Sequence, residues 1–330
     1  MTHSHSPGRS SGVVYILLTV LGWASAPLFL KYFTGYIDAW TANGCRYSIS
    51  ALFWLPYLLF HLRRKSLPPG LFRAALLPTA FNIVGQMLYG LAPYYVAPGF
   101  FGFLLRSQII FVTLGAYFLF PSEHAVLRSA QYWLGLAIVV LGSVGTIALG
   151  PGWPHGQVAL GIVYSVTSGA FFAFYGLAIR RNMHHVNPMT AFSVISLQTA
   201  AALLLFMFVF AEKHGARVLA LDGRRTALLV ASAFIGIGIA HVFYYAAIAR
   251  LGVSISGGVI LLMPFVTAVA SFFIFHERLK TGQWVAGTAA VVGAAIMLRA
   301  RQRLGAEPAT ADEPAPDRLE TPLAVAAARQ

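Results

Sequence analysis

FVTLGAYFLFPSEHAVLRSAQYWLG at residues 111–135 returns in the second half of the chain as FVTAVASFFIFHERLKTGQWVAG at residues 265–287. Phe111-Val112-Thr113 matches Phe265-Val266-Thr267 at an offset of 154 residues. An aromatic-rich run follows in both copies, then a loop acid, Glu123 in one and Glu277 in the other. After two extra residues in the first copy, Gln131-Tyr132-Trp133-Leu134-Gly135 aligns with Gln283-Trp284-Val285-Ala286-Gly287. Upstream, Ala80-Phe81 parallels Ala233-Phe234. Order, spacing and identity agree over roughly fifty residues, so the chain reads as one unit present twice.

Around these copies the sequence falls into apolar blocks of about 20 residues, the length that spans a bilayer's hydrocarbon core. The chain has 330 residues, mean hydropathy +0.71, 58% apolar residues and 10% charged ones. Soluble domains carry about a quarter charged residues. This composition excludes a disordered protein, a coiled coil and a conventional cytosolic enzyme. Ten spans are predicted, at 13–33, 40–61, 74–91, 98–120, 132–149, 158–179, 189–211, 227–248, 253–275 and 283–299. The first is read as a retained helix, because its apolar run outlasts the roughly 7–15 residues of a signal peptide.

Five spans per unit is an odd number, so the two copies enter the membrane in opposite directions. That is the inverted repeat of secondary transporters, whose substrate site lies near the midplane where the halves meet. The predicted fold class is an all-α membrane protein of ten transmembrane helices in two inverted five-helix repeats, 13–150 and 157–300. Residues 1–12 and the Ala-, Pro- and acid-rich segment 301–330 are predicted to be disordered. His3 and His5 in the first of these read as incidental, and no metal site is expected.

The formal charge of +13 reflects 23 Lys and Arg against 10 Asp and Glu. The basic residues sit in short connections between apolar blocks, which points to a lipid bilayer as partner and away from nucleic acid. One side collects Arg9, Arg63, Arg64, Lys65, Arg73, Arg128, Arg180, Arg181, Arg250, Arg299, Arg301 and Arg303. The other holds Lys31, Lys213, Arg217, Arg224, Arg225, Arg278 and Lys280. The excess places both termini in the cytoplasm. Cys45 is the sole cysteine, which excludes an intrachain disulfide.

Two five-span units resemble the EamA branch of the drug/metabolite transporter superfamily. So do Trp23-Ala24-Ser25-Ala26 in span one, Arg46 in span two, and the loops EHAVLRSAQYWLG and ERLKTGQWVAG. The resemblance covers about 13–300. It implies a ten-helix basket in the cell (bacterial inner) membrane, with a central cavity opening alternately to each side. It leaves the substrate open. Span seven has no arginine where span two has one, so any site is asymmetric.

Ionisable groups at membrane depth are expensive and mark function or a required partner. Arg106 lies mid-span, flanked by Ser107 and Gln108, about 15 Å from either interface. It faces a cavity or pairs with helix carbonyls. Arg46, nearer its span end, either snorkels or binds substrate. No acid falls mid-span. Two arginines without a carboxylate favour a substrate bearing carboxylate or phosphate, which a guanidinium matches with two hydrogen bonds. The expected function is therefore gradient-driven transport, by alternating access, of an anionic or zwitterionic small metabolite such as an amino acid; the residues leave its direction open, and efflux is what the family resemblance implies.

Further candidate wall residues are Asn43, Asn82, Gln86, Gln108, Ser168, Tyr175, Gln198, His241 and Ser256, together with Trp23, Tyr89, Tyr94 and Tyr95. Interhelical hydrogen bonds and interfacial aromatic belts are the alternative roles. His241 carries a coupling proton or is a neutral imidazole held by a carbonyl. Pro264 is the hinge candidate, and Glu123 and Glu277 are expected to brace helix ends. Gly135 and Gly142 have the spacing of close helix packing. Alternatives are a passive channel, a lipid scramblase or a multidrug exporter. Ser254 and Ser256 near His241 suggest an intramembrane enzyme only superficially, since no acid orients the histidine. No phosphate-binding loop occurs, and no cofactor is expected.

Overall fold

The computed structural model describes residues 7–121, 124–150 and 156–304. Helices account for nearly all of them, and no strand occurs among them. In the first half they are α1 (Pro7–Phe33), α2 (Ala39–Arg63), α3 (Leu71–Ala74), α4 (Leu76–Leu91), α5 (Pro98–Leu104), α6 (Gln108–Leu119), α7 (His124–Leu127) and α8 (Ala130–Ala148). The second half holds α9 (Gln157–Met183), α10 (Pro188–Phe210), α11 (Gly223–Ala233), α12 (Ala240–Ile260), α13 (Met263–Phe275) and α14 (Thr281–Arg303).

Local chemistry sets several of these starts. Asp38 caps α2 by accepting from the Thr41 amide at 2.9 Å, and Asp222 caps α11 through the Arg225 amide at 2.7 Å. Asn187 caps α10 ahead of Pro188, whose missing N–H costs nothing in a first turn. The outer surface is apolar: Phe118 is 78% exposed and Leu141 72%, which suits acyl chains and not water. Polarity runs inward. On α2, Asn43, Arg46 and Ser50 are buried while Leu52 is exposed.

Eight helical stretches among the described residues are long and apolar enough to cross a bilayer. The two expected spans outside this set are α2 and α4. Asn43, Arg46, Ser48 and Ser50 dilute the apolar density of α2, and α4 has only 16 residues.

Four boundaries differ from the sequence expectation. The leader expected to be disordered through 12 is helical from Pro7, and α14 continues past 300 to Arg303. His3, His5 and the segment from 305 lie outside the described residues. Span four is broken by a 3-10 turn at Leu105–Ser107 between α5 and α6. The connection expected at 249–252 is helical within α12, because Ala249, Arg250 and Leu251 favour helix and one glycine does not overcome them. A break falls further on, inside the expected span nine, at Leu261–Leu262, just before Pro264 in the first turn of α13.

The helices pack in pairs across the two halves. α8 lies along α14 and α2 along α10; α1 packs on α12 and on α13, while α9 packs on α4 and on α6; α5 meets α13. Glycine makes the α8–α14 seam possible. A methyl at Gly142 would sit 2.6 Å from the Ala286 carbonyl and the Ala290 amide, and one at Gly293 2.6 Å from the Gly135 carbonyl. In lipid, where no hydrophobic force joins helices, such close backbone approach is what holds them. Gly142→Leu therefore lowers stability by about 3 kcal/mol through overpacking. Thermal unfolding in detergent checks this, and an unchanged midpoint would show that the seam tolerates a side chain.

Candidate functional site

The helices enclose a cavity of about 520 Å³, a size that suits a small organic molecule. Its wall draws Trp23 and Pro27 from α1, Arg46 and Tyr47 from α2, and Asn82, Gln86 and Tyr89 from α4. Arg106 enters from the 3-10 turn, and Gln108 from the start of α6. Phe172 and Tyr175 come from α9, Phe192 from α10, His241, Tyr244 and Tyr245 from α12, and Pro264 from α13. Helices from both halves thus share one wall.

Most residues singled out from the sequence meet here: Arg106, Arg46, Gln108, Asn82, Gln86, Trp23, Tyr175, His241, Tyr89 and Pro264. Asn43 does not. Its amide donates to the Gln86 carbonyl at 2.7 Å and braces α2 against α4. Ser168 donates to the Gly85 carbonyl, and Gln198 joins Thr79 to the Phe72 carbonyl. Ser256 is buried off the wall. Tyr94 donates to the Ile37 carbonyl and Tyr95 packs on Tyr164, both away from the cavity. Tyr47, Phe172, Phe192, Tyr244 and Tyr245 were not singled out. Part of the signal was present, since His241, Tyr244 and Tyr245 stand at i, i+3 and i+4 and share one helix face.

The two arginines are held differently. Arg46 is 2% exposed, and its Nε donates to Ser232 Oγ at 3.1 Å. Its guanidinium lies against a π-helical turn, Phe234–Ile239, at Gly236; a methyl there would come within 3.4 Å of Nη2. π-turns of this kind recur at functional sites. Arg106 has no hydrogen-bond partner at its buried Nε and makes no ion pair among the described residues. His241 Nδ1 lies 2.9 Å from the Ile237 carbonyl, which can only accept, so Nδ1 carries the proton and Nε2 is left as an acceptor. The His241 ring stacks on Phe192 at 4.1 Å and meets Trp23 edge-on at 5.2 Å.

Residues 10–148 and 159–299 each match the EamA-like transporter family. The chain belongs to that family. EamA-type proteins of the drug/metabolite transporter superfamily are membrane transporters and not enzymes. A solved crystal structure of a protein 18% identical superposes with a TM-score of 0.60, covering 89% of this chain and 99% of the other, a likeness of fold alone. No curated protein matches the chain.

Among the described residues, no aspartate or glutamate lines the cavity of this EamA-type chain. Each described acid is committed at a helix end or loop. Asp38 and Asp222 cap α2 and α11, and Glu212 pairs with Arg217 at 2.7 Å. Glu277, after α13, accepts from the Gly99 amide at 2.7 Å and the Phe100 amide at 2.8 Å, closing its carboxylate over the start of α5. Only glycine fits at 99, where a methyl would stand 2.8 Å from both Ala268 Cα and Glu277 Oε2. Nearby, Lys31 Nζ donates to the Pro93 carbonyl at 2.8 Å. These contacts gather at the end away from Met183, Val186 and Pro188, the wall residues at the α9–α10 connection. Glu123 lies outside the described residues.

Proposed function

We propose that this EamA-type protein is a secondary carrier that moves a small anionic or zwitterionic metabolite out of the cell by alternating access. The observation that carries the reading is the cavity itself: among the described residues its wall holds two guanidinium groups, one with no partner at its buried Nε, and no carboxylate. An uncompensated charge in a low-dielectric site is costly, and a carboxylate or phosphate relieves that cost with two parallel hydrogen bonds. Without a nucleotide-binding loop, the energy comes from a solute or ion gradient.

The carrier has ten spans in two inverted units, about 13–150 and 157–300, with both termini in the cytoplasm of a bacterial inner membrane. The reciprocal packing supports this. Exchanging the halves turns the α1–α12 pair into α9–α4 and the α1–α13 pair into α9–α6, while α2–α10 and α8–α14 map onto themselves. The helix breaks at Leu105–Ser107 and Leu261–Leu262 also fall at corresponding places in the two copies. Discontinuous helices beside a midplane site are a recurrent carrier device. In this topology the cavity reaches the cytoplasmic end of α9 and α10, and the Glu277 and Lys31 contacts close the outer end.

Purified protein in liposomes is expected to take up small organic anions or zwitterions saturably and to exchange them with unlabelled solute on the far side. Uptake confined to organic cations, or flux that never saturates, would overturn the reading in favour of a drug exporter or a pore.

A further inference from the structure

We propose, resting on the carrier reading above, that the cavity selects aromatic carboxylates that carry a ring N–H or O–H and lack an ammonium group. Three features of the wall converge on this class. The first is charge. Arg106 offers a buried Nε with no hydrogen-bond partner, and no carboxylate among the described wall residues is available to receive an ammonium. An amino acid would bind its carboxylate and leave its positive end in a wall that also holds the Arg46 guanidinium, with only neutral acceptors among the described residues.

The second feature is shape. Trp23, His241 and Phe192 form a continuous cluster of rings, with Trp23 and His241 edge-on and His241 and Phe192 stacked. Tyr89 and Phe172 form another ring pair in the wall, 5.8 Å apart. Ring faces and edges in the wall favour a planar aromatic guest, which meets them offset-stacked or edge-on. The cavity of about 520 Å³ accepts one or two fused rings and a short acidic chain.

The third feature is polarity within the ring-lined part. His241 donates through Nδ1 to the Ile237 carbonyl, and among the described residues no hydrogen bond reaches its Nε2. In the neutral imidazole that nitrogen is an acceptor, and an indole N–H or a phenol O–H on the guest satisfies it. Arg106 fixes the acid and His241 reads the ring. The asymmetry of the two halves, with a guanidinium on one wall and an imidazole on another, gives the guest a single orientation.

The test uses purified full-length protein in detergent and isothermal titration with probes that share one ring system. Indole-3-propionate is expected to bind. Tryptophan, which adds only the ammonium, is expected at least about tenfold weaker, and tryptamine not to bind. The naphthyl analogue of indole-3-propionate loses the N–H and is expected about tenfold weaker, a gap that closes in His241→Phe. Tryptophan binding as tightly as indole-3-propionate would overturn the proposal, as would a naphthyl gap that persists in His241→Phe. Succinate binding as tightly as the indole acid would also overturn it, while leaving the anion carrier intact. Binding of no carboxylate at all would sink both. Arg106→Gln should lose the indole acid while keeping its melting temperature. Should that variant not fold, the comparison of tryptophan with indole-3-propionate on the native chain still decides.

Discussion

Arg106→Ala lowers the initial rate of anion uptake into liposomes about a hundredfold and leaves the folded protein as stable as before. The rate loss follows from removing a charge-assisted, two-pronged contact with the substrate, worth about 1.5–3 kcal/mol. Stability holds because among the described residues the side chain makes no ion pair and its Nε no hydrogen bond, so truncation removes a desolvated charge and breaks no network. Arg106→Lys keeps the charge but not the planar fork, and recovers only part of the rate. Parallel uptake and thermal-unfolding measurements check this. Wild-type uptake by Arg106→Ala would remove the residue from the site. A collapse in melting temperature without a specific rate loss would make it a structural residue.

Glu277→Gln loosens the outer closure and shifts the population of conformations about tenfold toward an outward-open state. The carboxylate now receives both the Gly99 and the Phe100 amides. A glutamine has one accepting oxygen and turns its own NH2 toward the second amide, so one hydrogen bond at the start of α5 is lost. Loss of a cap of this kind costs about 1 kcal/mol or somewhat more. Because the contact joins the two halves and no wall residue touches it, the effect falls on access and not on affinity. Protection of outer-face positions from a water-soluble thiol reagent reads the shift directly. Unchanged protection in Glu277→Gln would mean that Glu277 braces α5 without gating the cavity.

The repeat in the sequence carried much of this architecture, because residues that hold helices together or end them recur with their spacing. Gly135 and Gly142 were legible as packing positions from their spacing along one helix, and the contacts of Gly142 with Ala286 and Ala290 show the backbone approach they permit. Arg106 stood out because a charge at membrane depth has few structural uses. Asn43 was misplaced because a polar residue on an apolar span looks the same whether it meets a neighbouring carbonyl or a cavity. The ring-lined part of the wall was mostly invisible, since Phe172 and Phe192 on apolar helices look like lipid-facing or core residues until their direction is known. The break before α13 was hidden for another reason. The stretch 249–252, expected as a connection, is helical, while Pro264 sits where the helix begins anew.

Labelling of one cavity position from each face of the membrane bears most directly on whether the arginine-bearing cavity is reached from one side at a time. Cys45, half-buried with its sulfur 3.9 Å from Met207 Sδ, is first replaced by serine to leave no native thiol. Gly176→Cys then places a single thiol in the wall, at a position where an added side chain meets nothing within 4 Å. An impermeant maleimide is expected to label it from the face of the α9–α10 connection and to be slowed by bound anion. From the opposite face labelling is expected only when Glu277→Gln is also present. Equal labelling from both faces in the otherwise native chain would contradict alternating access and make the cavity part of a continuous pore.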